Sequence, residues 1–343
     1  MVAAVAAALA VLHGGNLVVL NLQTGTQRVV MRHAGSGPVA WSADGKLVSS
    51  GGRIAGGPAL PTTALHWAPA GERAAYVTRD GGVVIWGGAR SVRVAPDGWG
   101  ATSVAWSAGG TLAIGRALFS PRPHELGLWT WDGRRLRLAQ RVSPETGEPY
   151  PVRWLGTRIV WWAYPDSASL AADGVALYAG TKRIGATLMY PDYVVACGST
   201  LALADGGDRY STHDKRIVLA GVDVSRNRRL SWVSPACSRN GRTLVAAAGR
   251  NWAELRFGQE HRSIWQLRPS RRRLTTAPAG ASDEDPQLLP DGSIVFVRVR
   301  KGHATLERLD HGRLERVGAL GTANLPDNYY GHYAWPQAIA VQP

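Results

Sequence analysis

Four histidines, His124, His213, His261 and His303, each sit in a polar connection between two apolar runs, and Asp214 adjoins His213. Imidazole nitrogens and a carboxylate are the donor set of a catalytic zinc or non-haem iron. Brought together, they would hold the transition metal of a lyase- or oxygenase-like enzyme. The opposing expectation is that each is a solvated loop histidine. His124-Glu125 runs on into Leu-Gly-Leu and is no His-Glu-x-x-His helix. Other chemistry has less support. There is no Gly-x-Ser-x-Gly elbow, and Gly45-Lys46 lacks the upstream glycine of a phosphate-cradling loop. Asp205, Asp208 and Asp214, or Asp283 and Asp285, match no calcium-loop spacing. No catalytic residue is assigned.

Cys197 and Cys237 are the only cysteines. Two readings stand side by side: a disulfide, which would favour an oxidising, extracytoplasmic location, or two buried thiols acting as small hydrophobes.

The elements that must carry these residues recur along the chain. An apolar strand ending in Trp, a small-residue turn with Gly and a second apolar strand repeat with the tryptophans at 41, 67, 106, 154 and 335. Weaker copies place Cys197, Cys237 and Leu288 at the same position. The spacing, 26 to 51 residues, is that of propeller blades. The unit after Trp67 shows four strands: Arg73–Val77, Val83–Trp86 and Ser91–Val94 follow the one ending at Trp67. The expected fold is therefore all-β, a single β-propeller domain over residues 1–343 with eight four-stranded blades. The count falls to seven if the short unit 37–62 is only a hairpin insertion. Residues near 333–341 supply an inner strand, and 7–12, 16–22 and 26–31 the outer ones. The two termini then share a blade and close the ring.

This strand order assigns ends. The a–b turns (Asp44-Gly45, Ala70-Gly71, Gly109-Gly110, Asn240-Gly241, Asp291-Gly292) are tight and plain. The b–c loops and d-to-a links are long and varied, and they carry the expected ligand-binding face: Tyr150, Tyr164, Asp166, Tyr190, Tyr193, Asp208, Tyr210, Trp252, Glu260, Tyr329, Tyr330 and His332. The four histidines belong to the same end. The arginine clusters 134–137, 226–229 and 271–273 are instead expected at c–d turns and on strand d, where charge protects a blade's outer edge.

The repeats resemble the TolB-like, WD-type propeller family, whose core reads roughly W-S-P-D-G before an apolar strand. Trp41-Ser42-Ala43-Asp44-Gly45 and Leu289-Pro290-Asp291-Gly292-Ser293-Ile294-Val295-Phe296 are the nearest copies. The resemblance covers essentially the whole chain and implies an interaction scaffold, in some cases outside the cytoplasm. A minority of such propellers carry enzymes or partner peptidase domains. The motif contains no residue of fixed chemical role, so it transfers nothing catalytic.

Composition agrees. Of 343 residues, 41 are Gly, 20 Pro and 14 Trp, with 45% apolar, which excludes a disordered chain and argues against a helical one. Net charge is +14, but all except four of the 39 basic residues are arginine. That bias fits GC-rich coding as well as a polyanion partner. No nucleic-acid-reading module is present, so binding to nucleic acid is not expected, while polyanion binding by an arginine-rich rim stays as a third reading. No run of 18 apolar residues spans a membrane. The apolar start, residues 1–12, reads as a strand rather than a signal peptide, with any export signal expected upstream. The expectation is a non-enzymatic scaffold for a protein or cell-envelope ligand outside the cytoplasm, needing no cofactor. The alternative is the metal enzyme.

Overall fold

A computed structural model describes residues 8–35, 37–118, 125–165, 174–252, 261–322, 335 and 338–343. The chain is an all-β propeller with eight antiparallel blade sheets, seven of four strands and one of three among the described residues. It divides into two compact units, Ala40–Met189 and Met1–Val39 with Tyr190–Pro343.

The Ala40–Met189 unit holds blades 1 to 4. Blade 1 has strands Val39–Trp41, Val48–Ser50 and Arg53–Ile54. This settles the count at eight, although the short blade lacks a fourth strand. Its chain turns back on itself instead: Leu60 N–H donates to the Gly52 carbonyl (2.8 Å), and Arg53 bridges Ala59. A Cβ at Gly52 would lie 2.3 Å from the Thr62 carbonyl oxygen, so the fold-back needs glycine there. Blades 2 and 3 are complete, with inner strands His66–Trp67 and Ala101–Trp106. Blade 4 runs Glu148–Leu155, Arg158–Tyr164, Val175–Ala179 and Lys182–Thr187.

Period-two alternation lets the inner strands of a blade bury both faces. In blade 2, Val83 and Ile85 pack with Val104, Leu112 and Ile114 of blade 3, while Val84 and Trp86 pack with Ile54 and Leu65 on the other side. Each such side chain contributes about 1.5–3 kcal/mol.

The recurring Trp has a specific job. Trp106 Nε1–H donates to the His66 carbonyl (2.8 Å) and Trp154 Nε1–H to the Ala105 carbonyl (3.0 Å). In both cases the acceptor immediately precedes the Trp of the previous blade. Trp67 Nε1–H reaches Ser49 Oγ in blade 1 (3.1 Å). In blades 2, 3 and 4 the Trp at the end of strand a is thus a latch to the preceding blade. The Ser-x-Asp/Asn-Gly turn that follows closes on itself: Ser42 Oγ donates to Asp44 Oδ1 (2.6 Å), Leu47 N–H to Ser42 Oγ (2.9 Å), and Gly45 takes φ +69°.

The second unit holds blades 5 to 8. Blade 5 comprises Val194–Cys197, Thr200–Asp205, Arg216–Leu219 and Val222–Asp223, and blade 6 Leu230–Cys237, Leu244–Arg250, Ser263–Arg268 and Arg272–Arg273. Blade 7 comprises Ala281–Leu288, Ile294–Arg300, His303–Asp310 and Arg313–Thr322. In blade 8 the C-terminal strand Ile339–Val341 pairs with Ala8–His13, so both termini share one sheet as the sequence predicts. Cys197 and Cys237 form a disulfide, Cα–Cα 5.2 Å. They stand at the latch position of consecutive blades, where a covalent bond replaces the indole hydrogen bond.

Arginines 134–135 follow the expected c–d turn, their N–H groups both donating to Asp132 Oδ1 (2.8 Å). Arg226–Arg229 do not. Strand d of blade 5 stops at Asp223, whose Oδ1 accepts from Ser225 N–H (2.9 Å), Ser225 Oγ (2.6 Å) and Arg226 N–H (3.1 Å). That Asx turn ends the strand early. The cluster therefore lies in the d-to-a link, at the end of the unit that carries the b–c loops.

Candidate functional site

Blades 5 and 6 build the best-defined site on this end. The blade 5 b–c loop, residues 206–215, opens with an Asx turn in which Tyr210 N–H donates to Asp208 Oδ1 (2.7 Å). His213 is then flanked on two sides, with Nδ1 3.2 Å from Asp208 Oδ2 and Nε2 3.5 Å from Asp214 Oδ2. Burial works to raise the Asp208 pKa, but the Tyr210 N–H, His213 and Lys215 outweigh it and hold the carboxyl below its usual range. Lys215 is only 1% exposed, and its Nζ donates to the Asp208 carbonyl. Burial pulls its pKa down to about 8 despite Asp208, Asp214 and Asp205.

Asn251, the first residue after strand b of blade 6, ties three segments together. Its Nδ2 donates to Asp214 Oδ1 (2.7 Å) and to the Arg228 carbonyl (3.0 Å), its Oδ1 accepts from Asp214 N–H (3.0 Å), and its own N–H reaches the Arg229 carbonyl (2.9 Å). Trp252 N–H donates to the Thr212 carbonyl (2.9 Å), and its ring lies under the Arg250 guanidinium, 4.2 Å away. Between these segments lies a cleft of about 280 Å³, whose lining includes Asp214, Lys215, Arg216, Asp223, Arg228 and Asn251. Its walls carry both signs of charge, which suits a polar ligand with donors and acceptors rather than an apolar one.

Several residues singled out from the sequence belong to this assembly: Asp208, Tyr210, His213 and Asp214 in the loop, and Trp252 beside it. Lys215, Arg216, Arg228 and Asn251 were missed. Arg228 was assigned to an outer edge, and Asn251 carries no motif. Tyr150 and Tyr164 meet on blade 4 in the other unit, rings 5.9 Å apart, with the Tyr150 hydroxyl donating to Glu148 (3.2 Å). Burial first, then Glu148, pushes the Tyr150 pKa up. Tyr190 and Tyr193 pack edge to face at 5.5 Å, but Tyr193 is fully buried, so its ring is core rather than contact surface. Asp166, Glu260, Tyr329, Tyr330 and His332 lie outside the described residues, as does His124.

The described histidines are not brought together. His213 sits between two aspartates, the His261 ring meets the Ala281 carbonyl (3.3 Å), and His303 lines a separate cleft on blade 7. Among the described residues no three His, Cys, Asp or Glu side chains form a group that could hold a metal ion.

The inner strands of blades 6 and 7 share a second unusual feature. Ser234 and Asp285, each followed by proline, take φ +48° and +44° at matching β-bulges. Ser234 Oγ donates to Asp192 Oδ2 (3.2 Å), and Gln287 Nε2 to Asp285 Oδ2 (3.0 Å). Asp285 is 6% exposed, and burial, reinforced by the Asp192 and Glu284 carboxylates, pushes its pKa up to about 8 against the Gln287 hydrogen bond. Its neighbours are buried ions with partners: Arg262 Nη1 donates to Glu284 (2.8 Å), and Arg298 grips both oxygens of Asp283 (2.6 and 2.9 Å).

No protein-family model matches the chain, and no curated protein matches it. Solved structures resemble it in fold. A structure from a comparison of two prolyl endopeptidases matches with TM-score 0.50 at 11% identity, over 93% of this chain and 50% of that one. An acylaminoacyl peptidase from Pyrococcus horikoshii matches at TM-score 0.49 and 11% identity, over 89% of this chain and 48% of that one. A putative TolB from Agrobacterium tumefaciens matches at TM-score 0.39 and 14% identity, over 98% and 97%. The chain spans about half the length of these peptidases, and at such identities the likeness is one of fold.

Proposed function

We propose that this protein is a non-enzymatic binding scaffold, working outside the cytoplasm, that recognises a protein or cell-envelope ligand through the end bearing the b–c loops and d-to-a links. The observation that carries the reading is the Asn251 knot, which joins a b–c loop, a d-to-a link and the next blade around one polar cleft. A cleft whose walls are already bonded to each other loses little entropy when a ligand arrives. The Cys197–Cys237 bond supports the location, because such bonds persist in oxidising compartments.

The test places a photo-crosslinking side chain at Arg228 or, as a control, at Arg242 in the opposite, a–b turn of blade 6, in cells expressing the protein. The reading expects a discrete adduct from position 228 that disappears with Asn251→Ala, and none from position 242. Equal adducts from both positions, or none from 228, would overturn it.

A further inference from the structure

Blade 7 departs from the alternation that buries the faces of its neighbours. At the b–c end, one of its faces carries Arg298 and Arg300 on strand b, His303, Thr305 and Glu307 on strand c, and Arg316 opposite Glu307 on strand d. Strand b of blade 6 has Ala248 where blade 7 has Arg298, and carries arginine only at its last residue, Arg250, which matches Arg300. With Lys301 of the b–c turn, these residues line a cleft of about 590 Å³. Arg298 is neutralised by Asp283, and Glu307 accepts from Thr305 Oγ1 (2.8 Å). Arg300, Lys301 and Arg316 are exposed and make no ion pair among the described residues. Among the described residues, three cations thus share one concavity with a single carboxylate, an arrangement that is self-repelling until an anion enters.

We infer that this cleft binds a ligand carrying closely spaced phosphate groups. Carboxylates bring one charge each and would have to be placed separately against each cation, whereas a phosphate monoester brings about −1.5 to −2 and three acceptor oxygens. Two arginine forks and an ammonium group around one concavity match adjacent phosphates better than a row of single carboxylates. The site is separate from the Asn251 cleft and does not depend on it.

Calorimetric titration with tripolyphosphate tests the assignment, and vesicles containing phosphatidic acid offer the same chemistry from a lipid source. Binding of either probe is expected at about 20 mM salt, weakening several-fold by about 200 mM. Arg300→Ser with Arg316→Ser should weaken it about tenfold or more, since two charge-assisted contacts are lost. These side chains are exposed, and an unchanged melting curve confirms folding. Arg134→Ser with Arg137→Ser removes the same charge from blade 3 and should leave affinity unchanged. Asn251→Ala should also leave it unchanged, which separates this site from the proposed scaffold cleft. An equal loss in the Arg134/Arg137 control, hexaglutamate binding as tightly as tripolyphosphate, or no binding of either probe at low salt would each overturn the inference.

Discussion

Replacing Asp285 with Asn should stabilise the protein at neutral and alkaline pH and do little in acid. The carboxyl is buried, faces Asp192 and Glu284, and has its pKa pushed up from 3.8 to about 8. A raised folded-state pKa means that unfolding releases a proton between those two values. The contribution of the neutral form is complete below about pH 4 and is lost as pH rises through about 8. At about 1.4 kcal/mol per unit the whole shift is worth on the order of 6 kcal/mol. Asn keeps the shape, can still accept from Gln287 Nε2 and tolerates the +44° φ that this bulge imposes. It cannot ionise. Urea unfolding at about pH 5, 7 and 9 reads the effect through linkage. Wild type should lose stability over this range, and the Asn variant should lose several kcal/mol less, so that the two diverge towards pH 9. Parallel pH profiles would refute the reasoning, because they would mean that Asp285 titrates like an exposed carboxylate.

Reducing the Cys197–Cys237 bond releases a loop of sequence separation 40, so by the chain-entropy argument stability should drop by about 4 kcal/mol. Urea midpoints with and without reductant check this, and an unchanged midpoint would contradict it. Trp106→Phe and Trp154→Phe each delete an inter-blade hydrogen bond and should cost about 1 kcal/mol beyond the small change in packing, read from the same unfolding curves. Protein purified without added metal should contain no stoichiometric zinc or iron, and its melt should not respond to EDTA. About one metal per chain by elemental analysis would reinstate the metal-enzyme reading, with His124 a residue to mutate first.

The architecture was legible in the sequence because a propeller is a local repeat. Each blade is a run of hairpins whose turns close on their own side chains, as Ser42 and Asp44 do, and whose strands alternate with period two. The shared terminal blade follows from the same bookkeeping of strands. The short blade was ambiguous because its fold-back onto Gly52 depends on backbone contacts that leave no periodic trace. The sequence could set Cys197 and Cys237 at equivalent positions of adjacent blades but not their separation, which is a matter of ångströms set by packing. The candidate site was legible only in outline. Loop length pointed to the b–c end of the blades, the end at which the Asn251 cleft lies. The residues that build the cleft, Asn251 bonding across 37 positions to Asp214 and Arg228 carried to that end by an early strand stop, meet only in three dimensions. What sequence alone determined here is what neighbours along the chain decide: strands, turns and blade order. Tertiary structure decided which polar side chains meet, because hydrogen bonds and ion pairs depend on distances of about 3 Å that no spacing along the chain encodes.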